Sequence, residues 1–119
     1  MLAYKNRFHN RGRIKYVQSH GKNIGGQKLG LIVLETPHHK AQSRFAVIVS
    51  KKVLKSAVGR NRIRRRIYEA IRLQLPNLAI KADVLVRVYD KNLTNTPVVD
   101  LKRELIELLQ RAGLILGNN

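Results

Sequence analysis

Five arginines occupy the seven positions from Arg60 to Arg66, interrupted only by Asn61 and Ile63, and Ser50-Lys51-Lys52 lies just upstream. A guanidinium is a permanently charged planar fork that matches the oxygens of a phosphate two at a time. The same stretch carries Ile63, Ile67, Ala70 and Ile71 at steps of three and four and meets Pro76. That spacing predicts one apolar face of a helix ending at the proline. Arg60, Asn61 and Arg62 are then expected in its first turn, where backbone N–H groups lack partners and the helix dipole is positive. Stacking cations there costs a helix roughly a few tenths of a kcal/mol each. A helix built for stability alone would carry Asp, Ser or Glu instead. A phosphate reverses that cost, because the arginines and the helix end attract it together. Asn61 adds a neutral donor and acceptor suited to a base edge, a 2′-hydroxyl or a hydrated cation. Arg62, Arg65, Arg66, Tyr68, Glu69 and Arg72, offset from the apolar stripe, are expected to face solvent.

Other chemistry is sparse. His9, His20, His38 and His39 are scattered, and the His38-His39 pair sits in a polar turn with no third ligand at metal-binding spacing. Glu104 and Glu107, one helical turn apart beside Lys102 and Arg103, read as charge balance on a helix surface. The glycines of Lys22–Gln27 have no phosphate-loop spacing, and the chain has no cysteine. No residue is expected to be catalytic, and no ligand set for a metal can be named.

The whole chain supports a polyanion as partner. Its 119 residues suffice for a single domain, and 44% apolar content is ordinary for a globular protein. Twenty-four Lys and Arg against seven Asp and Glu give a formal charge of +17. Nucleic acid is the first candidate, since phosphate contacts release condensed counterions. An anionic membrane comes second, because no basic amphipathic helix with a bulky aromatic face is present. No apolar run has the length of a membrane span, and the charged N-terminus does not resemble a signal sequence, so a cytoplasmic location is expected.

The elements that must position the arginines follow from periodicity. Residues 1–12 read as a basic, irregular arm and Arg13 to Ser19 as a short helix, with Lys22–Gln27 as a loop. Lys28–Thr36 and Arg44–Lys52 read as two strands forming a hairpin across the polar turn Pro37–Ser43. Ala82–Asp90 reads as a further strand, with Val84, Val86 and Val88 alternating against Leu85, Arg87 and Tyr89. Val99 to Ala112 reads as a terminal helix with Leu101, Leu105, Leu108 and Leu109 inward and Gly113 as its cap. Together these predict a single α+β domain over 1–119, a small sandwich of a helix, a three- to four-stranded sheet, and helices on one face. A strand–helix–strand crossover through residues 44–90 would by default be right-handed.

The stretch Val49–Arg72, "VSKKVLKSAVGRNRIRRRIYEAIR", resembles the protein component of bacterial ribonuclease P. That family has a strand ending in S-K-K, a short connection containing A-V, and R-N-R-I-[KR]-R opening a long helix. The likeness extends over nearly the whole chain through "DVLVRV" and "LKRELIELLQRAGL". It implies a fold of the ribosomal protein S5 domain 2-like kind, with a left-handed βαβ crossover in place of the right-handed default. It also implies a protein subunit of an endoribonuclease whose RNA removes the 5′ leader of precursor tRNA using magnesium, with no cofactor held tightly by the protein. The implied partners are one ribonuclease P RNA per protein and the leader, with no membrane. Ser50, Lys51, Lys52, Arg60, Asn61, Arg62, Arg64 and Arg65 would contact the RNA. Arg13, Tyr16, Phe45 and Arg87 would serve the leader, which in this family runs between the first helix and the sheet. This chain departs from the family in placing Ile14 and Gln18 where aromatics are usual on the first helix. Leu29 or Ile32 stands at a strand position that is often aromatic. Tyr68 replaces a basic residue, and Arg66 replaces an apolar one. A structural RNA-binding protein of ribosomal type is the alternative. A sequence-specific DNA binder is disfavoured, because no short turn joins two helices.

Overall fold

The computed structural model describes residues 3–8, 10–36 and 42–116. His9, the His38-His39 pair and most of the Pro37–Ser43 turn lie outside them. In chain order the structure has α1 (Arg11–His20), β1 (Lys22–Gly25), β2 (Leu29–Glu35), β3 (Arg44–Ile48), α2 (Ala57–Gln74), β4 (Ala82–Val88) and α3 (Val98–Arg111). The sheet order is β1-β2-β4-β3.

Two sequence expectations are overturned here. The segment Lys22–Gln27 is not simply a loop. It supplies β1, whose only buried residue is Ile24, and a strand so short carries no periodic signal. The tight turn after it brings the Gly26 N–H to Leu29 O at 2.9 Å, and a Cβ on Gly26 would stand 2.6 Å from that oxygen. Nor do β2 and β3 form a hairpin. β4 inserts between them, antiparallel to β2 and parallel to β3. All three strands are almost wholly apolar and covered on both faces, so their pattern does not say which neighbour each one takes. β3 reaches β4 through α2, so the crossover itself is present.

Strand alternation divides the core. Leu29, Leu31, Val33, Phe45, Val47, Val84, Val86 and Val88 meet Ile63, Ile67 and Ile71 of α2 and the leucines of α3. On the opposite face, Ile32, Ala46 and Leu85 meet Val17 of α1 and Phe8. The two long helices therefore share one face and α1 takes the other. The described part of the N-terminal arm is not free. Arg7 bridges to Phe45 beside β3, and Asn6 Nδ2 donates to Ser43 O at 3.0 Å. Burying Phe8 removes a large apolar ring from water, which holds the arm in place. Gly113, at φ +76°, ends α3 in the left-handed geometry that favours glycine. None of the described helices is long and apolar enough to cross a membrane.

Candidate nucleic-acid interface

The connection from β3 to α2 is a built turn. Ser50 O accepts from Val53 N at 3.1 Å and Leu54 N at 3.2 Å. Ser56 Oγ then accepts from Gly59 N at 3.1 Å and caps α2. The helix thus begins at Ala57, one turn earlier than the arginine block. Arg60 closes the first turn, and Asn61 and Arg62 stand in the second, which corrects their expected place at the unpaired helix end. Arg60 Nη1 reaches back to Leu54 O at 3.0 Å and Lys55 O at 2.6 Å, latching the connection to the helix. Ser50, Lys51 and Lys52 are left exposed beside it.

The polar side chains of α2 separate onto three sides of the helix. On one side, Arg62 Nε donates to Thr94 O at 2.9 Å, and Arg66 donates to Leu93 O at 2.5 Å and also to Thr96 O. These two residues, four apart, hold the 3-10 turn Lys91–Thr94 that leads from β4 to α3. Burial, and then the charge of Arg62, push the Arg66 guanidinium below its ordinary pKa. On the side toward β3, the Tyr68 hydroxyl accepts from Val47 N at 3.2 Å. Arg66 and Tyr68 are therefore half-buried rather than solvent-facing as expected. The outward side carries Asn61, Arg65 and Arg72, all exposed and spaced by four and seven. Arg64 Nη1 donates to Asn61 Oδ1 at 2.7 Å, and Arg72 pairs with Glu69, pulling that carboxyl down to about 2.

This division makes neighbouring arginines distinguishable. Arg66→Ala removes a charged donor from two carbonyls and should lower unfolding free energy by about 1–3 kcal/mol, the lower end reflecting its partial exposure. Arg65→Ala should stay within about 0.5 kcal/mol of the parent. Urea denaturation of the two variants measures the difference, and equal stabilities would remove the distinction.

A second set of polar groups lies on the α1 face of the sheet. Asp83, fully buried on β4, accepts from Arg13 Nε of α1 at 2.6 Å and from Arg44 of β3 through Nε at 2.9 Å and Nη2 at 2.8 Å. The carboxylate raises the Arg44 pKa through those hydrogen bonds. Arg13 also lies 5.2 Å from the centre of the Tyr16 ring, which stacks on His20 at 4.1 Å. Four residues along β4 from Asp83, Arg87 is exposed on the same sheet face, opposite Gly30 and Ile48. At about 3.3 Å per residue the two ends of this strip are roughly 13 Å apart.

Known proteins match this arrangement along nearly its full length. A family model described as ribonuclease P matches residues 2–113. The chain is 33% identical over 120 residues to a ribonuclease P protein component of Rippkaea orientalis, covering 98% of this chain and 94% of that one. It is 35% identical to the one of Microcystis aeruginosa, covering 98% of each. The chain belongs to the ribonuclease P protein family. Solved structures share the fold: a Staphylococcus aureus RNase P protein superposes with a TM-score of 0.79 at 18% identity, covering 92% of this chain and 97% of that one. One from Thermotoga maritima gives 0.77 at 19% identity, covering 88% and 96%.

Within this family member the expected site residues fall into two places. Ser50, Lys51, Lys52, Arg60, Asn61, Arg62, Arg64 and Arg65 gather around the start of α2. Arg13, Tyr16 and Arg87 lie on the α1 face, where Arg13 and Tyr16 touch. Phe45 does not join them. It is 1% exposed and points with Val47 to the α2 side of β3, so its ring offers no surface to a base. Leu29 likewise faces the α2 side, so only Ile32 of that pair bears on the α1 face. Sequence reading missed Arg44 and Asp83 as partners of Arg13. Asp83 was visible as the one charge besides Arg87 within an otherwise apolar strand, an expensive residue to bury without a partner. It also passed over Tyr89, which is 47% exposed and packs over Gly30 on the α1 face. Among the described residues no group of three or more metal-ligating side chains occurs.

Proposed function

We propose that this chain seats on ribonuclease P RNA through the outward side of α2 and the Ser50–Lys52 connection, and carries the 5′ leader of precursor tRNA along the α1 face. The observation that carries this reading is the sorting of cations. Arg66 gives its half-buried guanidinium to two backbone carbonyls and Arg62 gives its Nε to a third, whereas Lys51, Lys52 and Arg65 are exposed, the two lysines beside a capped turn. A basic patch held on rigid elements suits a backbone-reading contact with structured RNA. The leader, a single strand, would be met by Arg13, Tyr16 and Arg87, with Tyr89 as an added stacking surface.

In this division of labour the RNA and its magnesium ions cleave the phosphodiester. The protein contributes positive charge and position, which lowers the repulsion between RNA and precursor. Reconstitution with ribonuclease P RNA and precursor tRNA at low magnesium tests the proposal. Cleavage should be stimulated by the protein, with the gain shrinking as magnesium is raised. An unstimulated RNA at every magnesium concentration would overturn the assignment.

A further inference from the structure

We infer that Asp83 is a positioning residue that builds a phosphate-binding fork from Arg13 and Arg44; this rests on the leader reading above. Arg13 Nε and Arg44 Nη2 converge on a single oxygen, Oδ2, at 2.6 and 2.8 Å, which brings two guanidinium groups side by side. One buried carboxylate neutralises only one of them, so the cluster keeps a net positive charge. Asp83 has no exposure, while the Arg13 and Arg44 side chains remain 29% and 32% exposed. Both terminal amino groups of Arg13 and Nη1 of Arg44 donate to no described residue. The terminal amino pair of Arg13 together with Nη1 of Arg44, held in place and carrying excess positive charge, match a phosphate oxygen pair. The rings beside them, Tyr16 at 5.2 Å from Arg13 and Phe8 at 5.8 Å from Arg44, brace the two planes. The ligand is one phosphodiester of single-stranded RNA, entered at the Asp83 end of the strip that finishes at Arg87.

The sign of one mutation separates this from ordinary electrostatics. Removing a negative charge from an RNA-binding surface tightens binding if charge alone matters. Asp83→Asn should instead weaken it, because the fork loses its common anchor. Anisotropy of a labelled single-stranded leader oligoribonucleotide, read on the full chain, gives the affinity. Asp83→Asn and Arg13→Lys should each weaken binding about tenfold, Lys keeping the charge but losing the fork. The double variant should be little worse than either, since both act on one device. A methylphosphonate oligonucleotide of the same sequence should bind alike to parent and variants. If Asp83→Asn unfolds, Arg13→Lys and Arg44→Lys carry the same comparison. Tighter binding by Asp83→Asn, or Lys variants equal to the parent, would overturn the fork while leaving the leader reading intact. A parent chain that ignores the phosphodiester oligonucleotide would sink both.

Discussion

Ile67→Ala should lower the unfolding free energy by about 2–5 kcal/mol without weakening RNA affinity wherever the variant remains folded. Ile67 is fully buried at the middle of α2, with Ile63 and Ile71 one turn to either side. Truncation removes apolar contact with the sheet and leaves a cavity that rigid strands cannot fill. α2 bridges β3 and β4, so nothing nearby can slide in without disturbing the parallel pair. The loss corresponds to a melting temperature lower by roughly 8–20 °C for a domain of this size. Urea titrations with an unchanged slope, paired with RNA titrations well below the midpoint, measure both quantities. A destabilisation under about 1 kcal/mol would mean that this stripe does not anchor the helix.

The converse variant should bind poorly and fold normally. Lys51→Gln, Lys52→Gln and Arg65→Gln together remove three exposed cations. If each neutralises one RNA phosphate, the log–log salt slope falls by roughly 0.9 per contact, or about 2.7 in total. Counterion release at ~0.15 M salt is worth about 1 kcal/mol per contact, since 0.9RT ln(1/0.15) is about that value. The triple variant should therefore lose about a hundredfold in affinity for ribonuclease P RNA, with stability within about 0.5 kcal/mol of the parent. Measuring affinity over a salt series decides the matter. A slope unchanged within error would move the RNA contact away from the start of α2.

These two outcomes are separable because α2 uses different residues for anchoring and for charge, a separation only half legible beforehand. The isoleucine stripe was readable because a 3.6-residue repeat must bury one side. Which arginine is held by the protein's own backbone and which stays exposed was not, since Arg65 and Arg66 are adjacent and identical. The choice rests on the carbonyls of Leu93 and Thr96, 27 and 30 residues away from Arg66. Ser56 did announce the true helix start, as a hydroxyl residue three positions before the glycine whose N–H it accepts.

The α1 face shows the same boundary. The family resemblance placed Phe45 at the leader, but strand parity with Val47 turns it toward α2. Asp83 and Arg44 are 39 residues apart and become partners only because β4 lies beside β3. By itself the sequence determined a basic α+β fold, its long amphipathic helices and the segment in which the arginines concentrate. Periodicity and net charge are local or summed properties of the chain, so no partner is needed to read them. The tertiary structure alone decided the strand order, the face on which each aromatic lies and the pairing of Arg13 and Arg44 on Asp83. Those depend on which segments meet across the sheet, and apolar strands covered on both faces do not encode their neighbours in their own pattern.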